Sequence, residues 1–257
     1  PDPDQSNMEV DEMRVIVSFR AMGEGHISSI VFRRGVLNKA NQLRLDEVGP
    51  HVDMPEHVRR HEYDKKQFLS KLADMNVKKD VVERVMEKLG DRFIYGRLQQ
   101  AIAQTRDELE MTPSKSNVID AINWVAGSHY EITFSYDTAI SERVIFPISY
   151  TESNGIEDAR FVRFTDDDGS VTYYAVYTAY NGYTILPKFL QTNDFYHFKS
   201  LPLHGPCVQN KGLAFFPRRI NGRFAMLSRL DGINNYIMFS ENIHLWKEAE
   251  KIQEPRY

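Results

Sequence analysis

Three clusters in this sequence carry residue types that could do chemistry. In the first, Asn154-Gly155-Ile156-Glu157-Asp158-Ala159-Arg160, two adjacent carboxylates and an arginine lie between a glycine turn and the apolar pair Phe161-Val162. A carboxylic acid oriented by an arginine can hand a proton to a leaving group. On a regular strand, neighbouring residues face opposite ways and alternate ones share a face. That spacing predicts Asp158 and Arg160 on one face, with the arginine orienting the carboxylate. It sets Glu157 on the other face, so the two carboxylates cannot serve one bond as a facing acid–base pair. The plainer reading is an acidic pair beside a surface turn.

The second cluster is Asn210-Lys211-Gly212, followed 18 residues after Lys211 by Arg229. Lys211 precedes one strand of an expected hairpin and Arg229 ends the next, so the hairpin brings the two cations together. Such a pair suits an anion, phosphate above all; two solvated cations are the alternative. The third cluster surrounds a flexible turn: Arg20, then Gly23-Glu24-Gly25-His26-Ile27-Ser28-Ser29. It has neither metal-ligand spacing nor a nucleophile–base order. Glu56-His57 and His61-Glu62 do not form His-Glu-x-x-His, which excludes a zinc peptidase of that kind, and the glycines form no phosphate loop or dinucleotide fingerprint.

The elements that must position these clusters fall into three zones. Residues 13–45 read as a β-hairpin: Arg14-Val15-Ile16-Val17-Ser18-Phe19-Arg20 and the stretch 27–33 are β-branched and aromatic, split by the Gly23-Glu24-Gly25 turn. Residues 53–126 read as helical. Phe68, Leu69, Leu72 and Met75 recur at helical spacing, as do Val81, Val82, Val85, Met86 and Leu89 before Gly90. Leu98, Ile102 and Leu109 continue the pattern, and Ser116 is the expected cap of a helix over 118–125 that Gly127 stops. The charges of this zone read as a solvated helix face. Residues 129–257 are strand-rich. Asn221-Gly222 is the strongest hairpin signal in the chain. Thr192-Asn193-Asp194-Phe195-Tyr196-His197-Phe198 resembles Ser240-Glu241-Asn242-Ile243-His244-Leu245-Trp246 at an offset of 48 residues. A period of about 40–50 residues with some four strands per unit is the signature of propeller blades. Of the aromatics crowding this zone (Tyr173, Tyr174, Tyr177, Tyr180, Tyr183, Phe215, Phe216 and Trp246), most must be core, and exposed ones could stack on sugar rings.

Composition bounds the function. In 257 residues, 42% hydrophobic and 26% charged describe an ordinary folded chain. A net charge of −4 lacks the basic excess of a general nucleic-acid binder, and no apolar run suits a membrane helix. The single cysteine, Cys207, excludes an internal disulfide and fits a reducing, cytoplasmic compartment. Both ends read as cuts in a longer protein, with no legible signal peptide.

Four segments in order resemble glycoside hydrolase family 130. Gly155-Ile156-Glu157-Asp158-Ala159-Arg160 is similar to that family's Gly-x-Glu-Asp-Pro-Arg motif, with Ala159 in place of the proline. Tyr177-Thr178-Ala179-Tyr180-Asn181-Gly182 resembles its Tyr-Thr-Ala-Tyr-Asp-Gly segment. The stretch from Asn210-Lys211-Gly212 through Phe216-Pro217 and Ile220-Asn221-Gly222-Arg223 to Ser228-Arg229 is similar to its third segment. Ser240 through Trp246 resembles a blade ending, with Asn242 in place of aspartate.

The resemblance implies a mainly β fold with a helical insertion, part of a five-bladed β-propeller. Residues 1–45 would be first propeller strands, 46–128 the insertion and 129–257 further blades, incomplete at the C-terminus. It implies inverting action on β-mannosides with Asp158 as proton donor. Lys211 and Arg229 would contact phosphate, and Glu157, Arg160, Tyr180, Asn210 and Arg20 would bind substrate. The expected activity is phosphorolysis of an oligosaccharide to mannose 1-phosphate, with inorganic phosphate as co-substrate and no cofactor or metal. A phosphate nucleophile needs one acid and cations to hold it, whereas an inverting hydrolase needs a second carboxylate to activate water. Hydrolysis by the same family, and a non-catalytic glycan-binding propeller, are the alternatives. A homo-oligomer is compatible with all three.

Overall fold

The computed structural model describes residues 1–9, 11–58 and 62–256. The first zone folds as three strands: β1 (Glu12–Met22), β2 (Ser28–Asn38) and β3 (Leu43–Leu45). The second begins with β4 (Glu56–Val58) and β5 (Glu62–Asp64), then α1 (Lys65–Asp74), α2 (Lys79–Glu87), β6 (Arg92–Ile94), α3 (Tyr95–Glu108) and α4 (Pro113–Gly127). The third carries β7 (Tyr130–Thr133), β8 (Val144–Ile145), β9 (Ile156–Thr165), β10 (Val171–Tyr180), β11 (Ile185–Thr192) and β12 (His197–Pro202). It ends with β13 (Ala214–Phe215), β14 (Phe224–Ser228), β15 (Asn235–Ser240) and β16 (Ala249–Gln253).

The fold is mainly β, built of several open antiparallel sheets. β1 and β2 form the expected hairpin, paired from Glu12↔Asn38 to Met22↔Ser28. β3 and β8 extend the β2 side. The second sheet runs β4-β7-β12-β11-β10-β9, so β9 to β12 form one meander with β9 at its edge. The third, β13-β14-β15-β16, is another meander with β13 at its edge. Asn221 (φ 51°) and Gly222 (φ 73°) close the two-residue turn before β14, with Ile220 and Arg223 exchanging both backbone hydrogen bonds. Both φ values are positive, as a type I′ turn demands, and Asn-Gly is the pair that tolerates this.

The repeat seen in the sequence has a structural counterpart. After β11, the Asp194 carboxylate accepts hydrogen bonds from the Tyr196 and His197 backbone N–H groups. After β15, the Asn242 side-chain oxygen accepts from the His244 N–H. A short acceptor two residues past the strand end bends each chain, and the aromatic that follows, Phe198 or Trp246, is buried completely.

The helices follow their apolar stripes from Lys65 on, but the zone read as helical over 53–126 also carries the short strands β4, β5 and β6, and both ends of α4 shift. Ser116 lies inside α4. Thr112 caps it instead, its hydroxyl accepting from the Lys115 N–H, and Pro113 fills the first position, where a missing N–H costs nothing. Gly127 is the last residue of that helix rather than its stop.

Side chains segregate into three cores. The helices share one, around Phe68, Val85, Leu98 and Ile122. The first two sheets share another, around Phe32, Ile132, Tyr177 and Phe198. The second and third sheets share the last, around Phe189, Phe215, Met226 and Trp246. Trp124 packs against the first two at once and so joins the helices to the strands. Two polar contacts reinforce this joint: Lys71 Nζ donates to the Leu203 carbonyl at 3.2 Å, and Asp74 accepts from the Gly205 N–H at 2.7 Å. No helix among the described residues is long and apolar enough to cross a membrane.

Two histidines withdrawn from water, His204 buried and His244 half-buried, make this architecture acid-sensitive. Burial, reinforced by Lys71 and by His129 and His244, lowers His204 to about 2, and burial lowers His244 to about 4. Both ordinarily titrate near 6.5, so above that pH they are neutral in either state and contribute nothing to pH dependence. Below it the unfolded chain takes up protons that the folded chain refuses, and stability falls with pH. At pH 5 the loss is about 2 kcal/mol for each histidine. Thermal unfolding followed from pH 7 to pH 5 should show the midpoint dropping, and a His244→Asn variant should lose about half of that drop.

Candidate active site

The acidic segment lies at the start of β9, and its backbone is irregular. Opposite it, β10 pairs Val176 with Arg160 and Thr178 with Glu157, so the two residues Asp158 and Ala159 face the single residue Tyr177. Asp158 has φ 54°. An extra residue in the left-handed region is a β-bulge, and Asp is among the few non-glycine residues that tolerate it. The bulge breaks the alternation that a regular strand would keep. Glu157 and Asp158 therefore both reach one guanidinium, that of Arg20: Nη2 lies 2.8 Å from Glu157 Oε1 and Nη1 3.8 Å from Asp158 Oδ1.

This corrects two expectations. The carboxylates do not part to opposite faces, because the bulge rotates the chain between them. The arginine that meets Asp158 is Arg20, from the end of β1, and not Arg160. Arg160 points across to the next sheet, its Nη1 donating to the Leu213 carbonyl at 3.4 Å. The β1 strand end lies beside the start of β9, which is how a residue 137 positions away in sequence arrives.

Asp158 is half-exposed and shares a shallow depression with Thr178, Asn210, Lys211 and Gly212. The Arg229 side chain packs over Gly212: a Cβ there would lie 3.8 Å from Arg229 Cδ. Gly212 has φ 87°, a conformation that glycine adopts freely. Asn210 ties the turn to β14, its amide donating to the Arg229 carbonyl at 3.3 Å. Arg229 Nη2 in turn donates to the Gly232 carbonyl at 2.6 Å. The two sequence clusters thus converge on one face, the acid on β9 and the cations before β13 and after β14. Tyr180 ends β10 and is not among the residues that line this depression. Its hydroxyl is spent on the Gly182 carbonyl, and its backbone exchanges hydrogen bonds with Asn154 and Gly155.

The third cluster divides. Arg20 joins the carboxylates, but Ser28 is structural: it is buried, donates to the Ile156 carbonyl at 2.9 Å, and packs where a Gly155 Cβ would sit. Among the described residues no group of three or more His, Cys, Asp or Glu side chains could hold a metal. Of the pairs weighed for zinc, His61 lies outside the described residues.

Sequence reasoning missed the groups beneath this face. Glu152 and Lys188 form a fully buried ion pair at 2.7 Å. Tyr177 donates to Glu152 Oε1 at 2.7 Å, Tyr130 donates to the same carboxylate, and the Ile148 and Ser149 N–H groups supply further bonds. Ser200 meets the Tyr177 hydroxyl at 2.6 Å. Burial alone would raise the Glu152 carboxyl, but the Lys188 ammonium and these donors hold it below its ordinary value. Burial pushes both tyrosine hydroxyls well up. Tyr177 is the β10 residue that faces the bulge, so this network anchors the strand against which Asp158 is turned out. One sequence signal existed: Lys188 is a lone charge in the apolar stretch Leu186-Pro187-Lys188-Phe189-Leu190, and a lysine there demands a buried partner.

The class defined by this fold and this face is a mainly β protein whose sheet edges gather an acid, an arginine and a basic turn. Among solved structures the chain is similar to the β-1,2-mannobiose phosphorylase from Listeria innocua. The identity is 17% over 97% of this chain and 63% of that one, with a TM-score of 0.39. It is also similar to a provisionally assigned glycoside hydrolase from Parabacteroides distasonis ATCC 8503, at 14% identity over 96% of this chain and 54% of that one, with a TM-score of 0.35. The chain therefore spans less than two thirds of either. No family model and no curated protein matches the sequence. At this level of likeness, the case for function rests on the chain's own residues.

Proposed function

We propose that the protein is an inverting glycoside phosphorylase acting on β-mannosides, with Asp158 as the proton donor. The observation that carries this is the shared depression in which one half-exposed carboxyl adjoins Lys211, with Arg229 packed over the same turn. The four segments that resemble glycoside hydrolase family 130 support it independently. The two meanders would be blades of a five-bladed propeller and residues 46–128 an insertion between blades. In support, the first strands of the two meanders adjoin: Arg160 bonds across from β9 to Leu213, and Thr165 bridges in parallel to Arg218.

In the proposed reaction a phosphate oxygen attacks the anomeric carbon from the face opposite the aglycone. The glycosidic oxygen leaves and takes a proton originating from Asp158. The products are mannose 1-phosphate and a shortened sugar. Lys211 and Arg229 hold the phosphate, Arg20 fixes both carboxylates, and Asn210, Tyr180, Glu157 and Arg160 are assigned to substrate.

Glu157 beside Asp158 raises the hydrolytic alternative, because a second carboxylate is now on the same face. An inverting hydrolase, however, needs its base across the sugar ring from its acid, about 6.5–9.5 Å away. Glu157 and Asp158 instead share one guanidinium, that of Arg20, which supports a binding role for Glu157 rather than that of a facing base.

The test is turnover of β-linked manno-oligosaccharides with and without phosphate. Release of sugar 1-phosphate that depends on phosphate supports the reading, and equal release of free sugar in both conditions contradicts it. Lys211→Met should raise the KM for phosphate by at least about tenfold, the loss of roughly 1.4 kcal/mol expected of one charge-assisted contact. An unchanged phosphate KM would take Lys211 out of the site.

A further inference from the structure

A second concavity, separate from the depression at Asp158, lies between the helices and the strands: a cavity of about 880 Å³, open on one side. Its size lies within the ~300–1,000 Å³ typical of small-ligand sites. α4 supplies Asp120, Asn123 and Trp124 to one wall, Tyr150 stands on the short turn before β9, and Gln209 closes the end nearest the basic turn. The cavity adjoins the candidate active site: Pro187 lines both concavities, and Gln209 immediately precedes Asn210.

The wall chemistry narrows the occupant. An indole and a phenol offer flat apolar faces, the groups on which sugar rings stack. Beside them stand two carboxylates, Asp74 and Asp120, and four side-chain amides, Asn123 and Gln209 among them, which hydrogen-bond to hydroxyl groups. The Asp120 and Gln209 side chains and the Tyr150 hydroxyl have no protein hydrogen-bond partner among the described residues. The one cation in the lining, Lys71, is buried and spent on the Leu203 carbonyl, and two carboxylates, Asp74 and Asp120, share the wall. That balance disfavours a phosphorylated or otherwise anionic ligand and suits a neutral one rich in hydroxyls.

We propose that this cavity is a sugar subsite, built by the helical unit against β11, that takes units of the oligosaccharide beyond those bound at Asp158. The inference rests on the glycoside-cleaving reading for its substrate, and it assigns residues 65–127 a role in selecting longer chains. The ligand would lie across Pro187, with its remote units stacked on Trp124 and Tyr150 and its hydroxyls bonded to Asp120, Asn123 and Gln209.

Tyr150 is 69% exposed, so its truncation leaves the cores intact, whereas Trp124 packs into two of them. The experiment is kcat/KM for a series of β-linked manno-oligosaccharides, from the disaccharide upward, in the wild-type protein and in Tyr150→Ala and Asp120→Ala. In the wild type kcat/KM should rise with chain length by about tenfold or more, the worth of roughly 1.4 kcal/mol of added binding. Each variant should lower the value for the long chains several-fold more than for the disaccharide. No rise in the wild type, or a rise the variants leave intact, overturns the subsite. If no oligosaccharide is turned over, the catalytic reading fails, and the cavity is judged by calorimetry with the longest oligosaccharide alone. Binding that Tyr150→Ala weakens several-fold upholds the subsite; absent or unaffected binding overturns it.

Discussion

Asp158→Asn should lower turnover of a β-mannoside by roughly 10²–10⁴-fold, the usual contribution of a positioned general acid. Asparagine keeps the shape of the side chain and removes the proton it donates. It also keeps the backbone, because Asn accepts the left-handed conformation that Asp158 adopts at φ 54° as readily as Asp does. The bulge should survive, along with the turned-out side chain. Stability should therefore stay within about 0.5 kcal/mol of wild type, as for a partly exposed substitution that breaks no special feature. A rate loss without a stability loss would place the effect in chemistry. A near-normal rate would remove Asp158 from the mechanism.

The largest effect on stability should come from Lys188→Met, at about 3–5 kcal/mol, the expected cost of removing one partner of a buried ion pair. The variant leaves the Glu152 carboxylate fully buried with no cation beside it. The two tyrosines and two backbone N–H groups still donate to it, but they carry no charge to offset the burial. The double variant Glu152→Gln, Lys188→Met should be more stable than the single Lys188→Met, because the stranded charge is gone. Denaturant unfolding of the three proteins measures both differences. A single-variant loss below about 1 kcal/mol would mean that the pair does not act as a buried charge pair. Lys188→Met should also lower activity, because Tyr177, which faces the bulge, is held through the same carboxylate.

The contrast between these two sites explains what could be read from the sequence. Local signals were legible. Asn221-Gly222 requires positive φ at two successive positions, and few other pairs supply it. The 48-residue offset reflects two bends, each made by short acceptor side chains, Thr192 with Asp194 and Ser240 with Asn242. The helices followed from apolar spacing, except at the start of α4, where Thr112-Pro113 outcompetes Ser116 as a starting signal. The hairpin predicted that Lys211 and Arg229 come together, as they do around Gly212, whereas Asp158 was joined to them only by the family resemblance.

The orientation of the carboxylates was not legible. Alternation along β9 predicted opposite faces, but a bulge depends on how β9 registers against β10, which no local pattern encodes. The role of Arg20 was hidden for a related reason: its meeting with Glu157 spans 137 residues and depends on β1 running alongside β9. Glu152 sits in an unremarkable turn, and only the fold reveals the lysine and tyrosines that close around it. The cavity at Trp124 depends on how the helical core seats against the strands, which is a tertiary outcome of two separate apolar patterns.

The claim on which the account depends is that phosphate attacks the anomeric carbon directly while Asp158 supplies the proton on the other side. The stereochemistry of the first-formed product, followed by proton and phosphorus NMR during turnover of a β-mannoside in phosphate, tests it most directly. The account predicts the α-anomer of the sugar 1-phosphate, with one phosphate consumed per bond cleaved. The β-anomer, or free sugar formed without phosphate consumption, would contradict it.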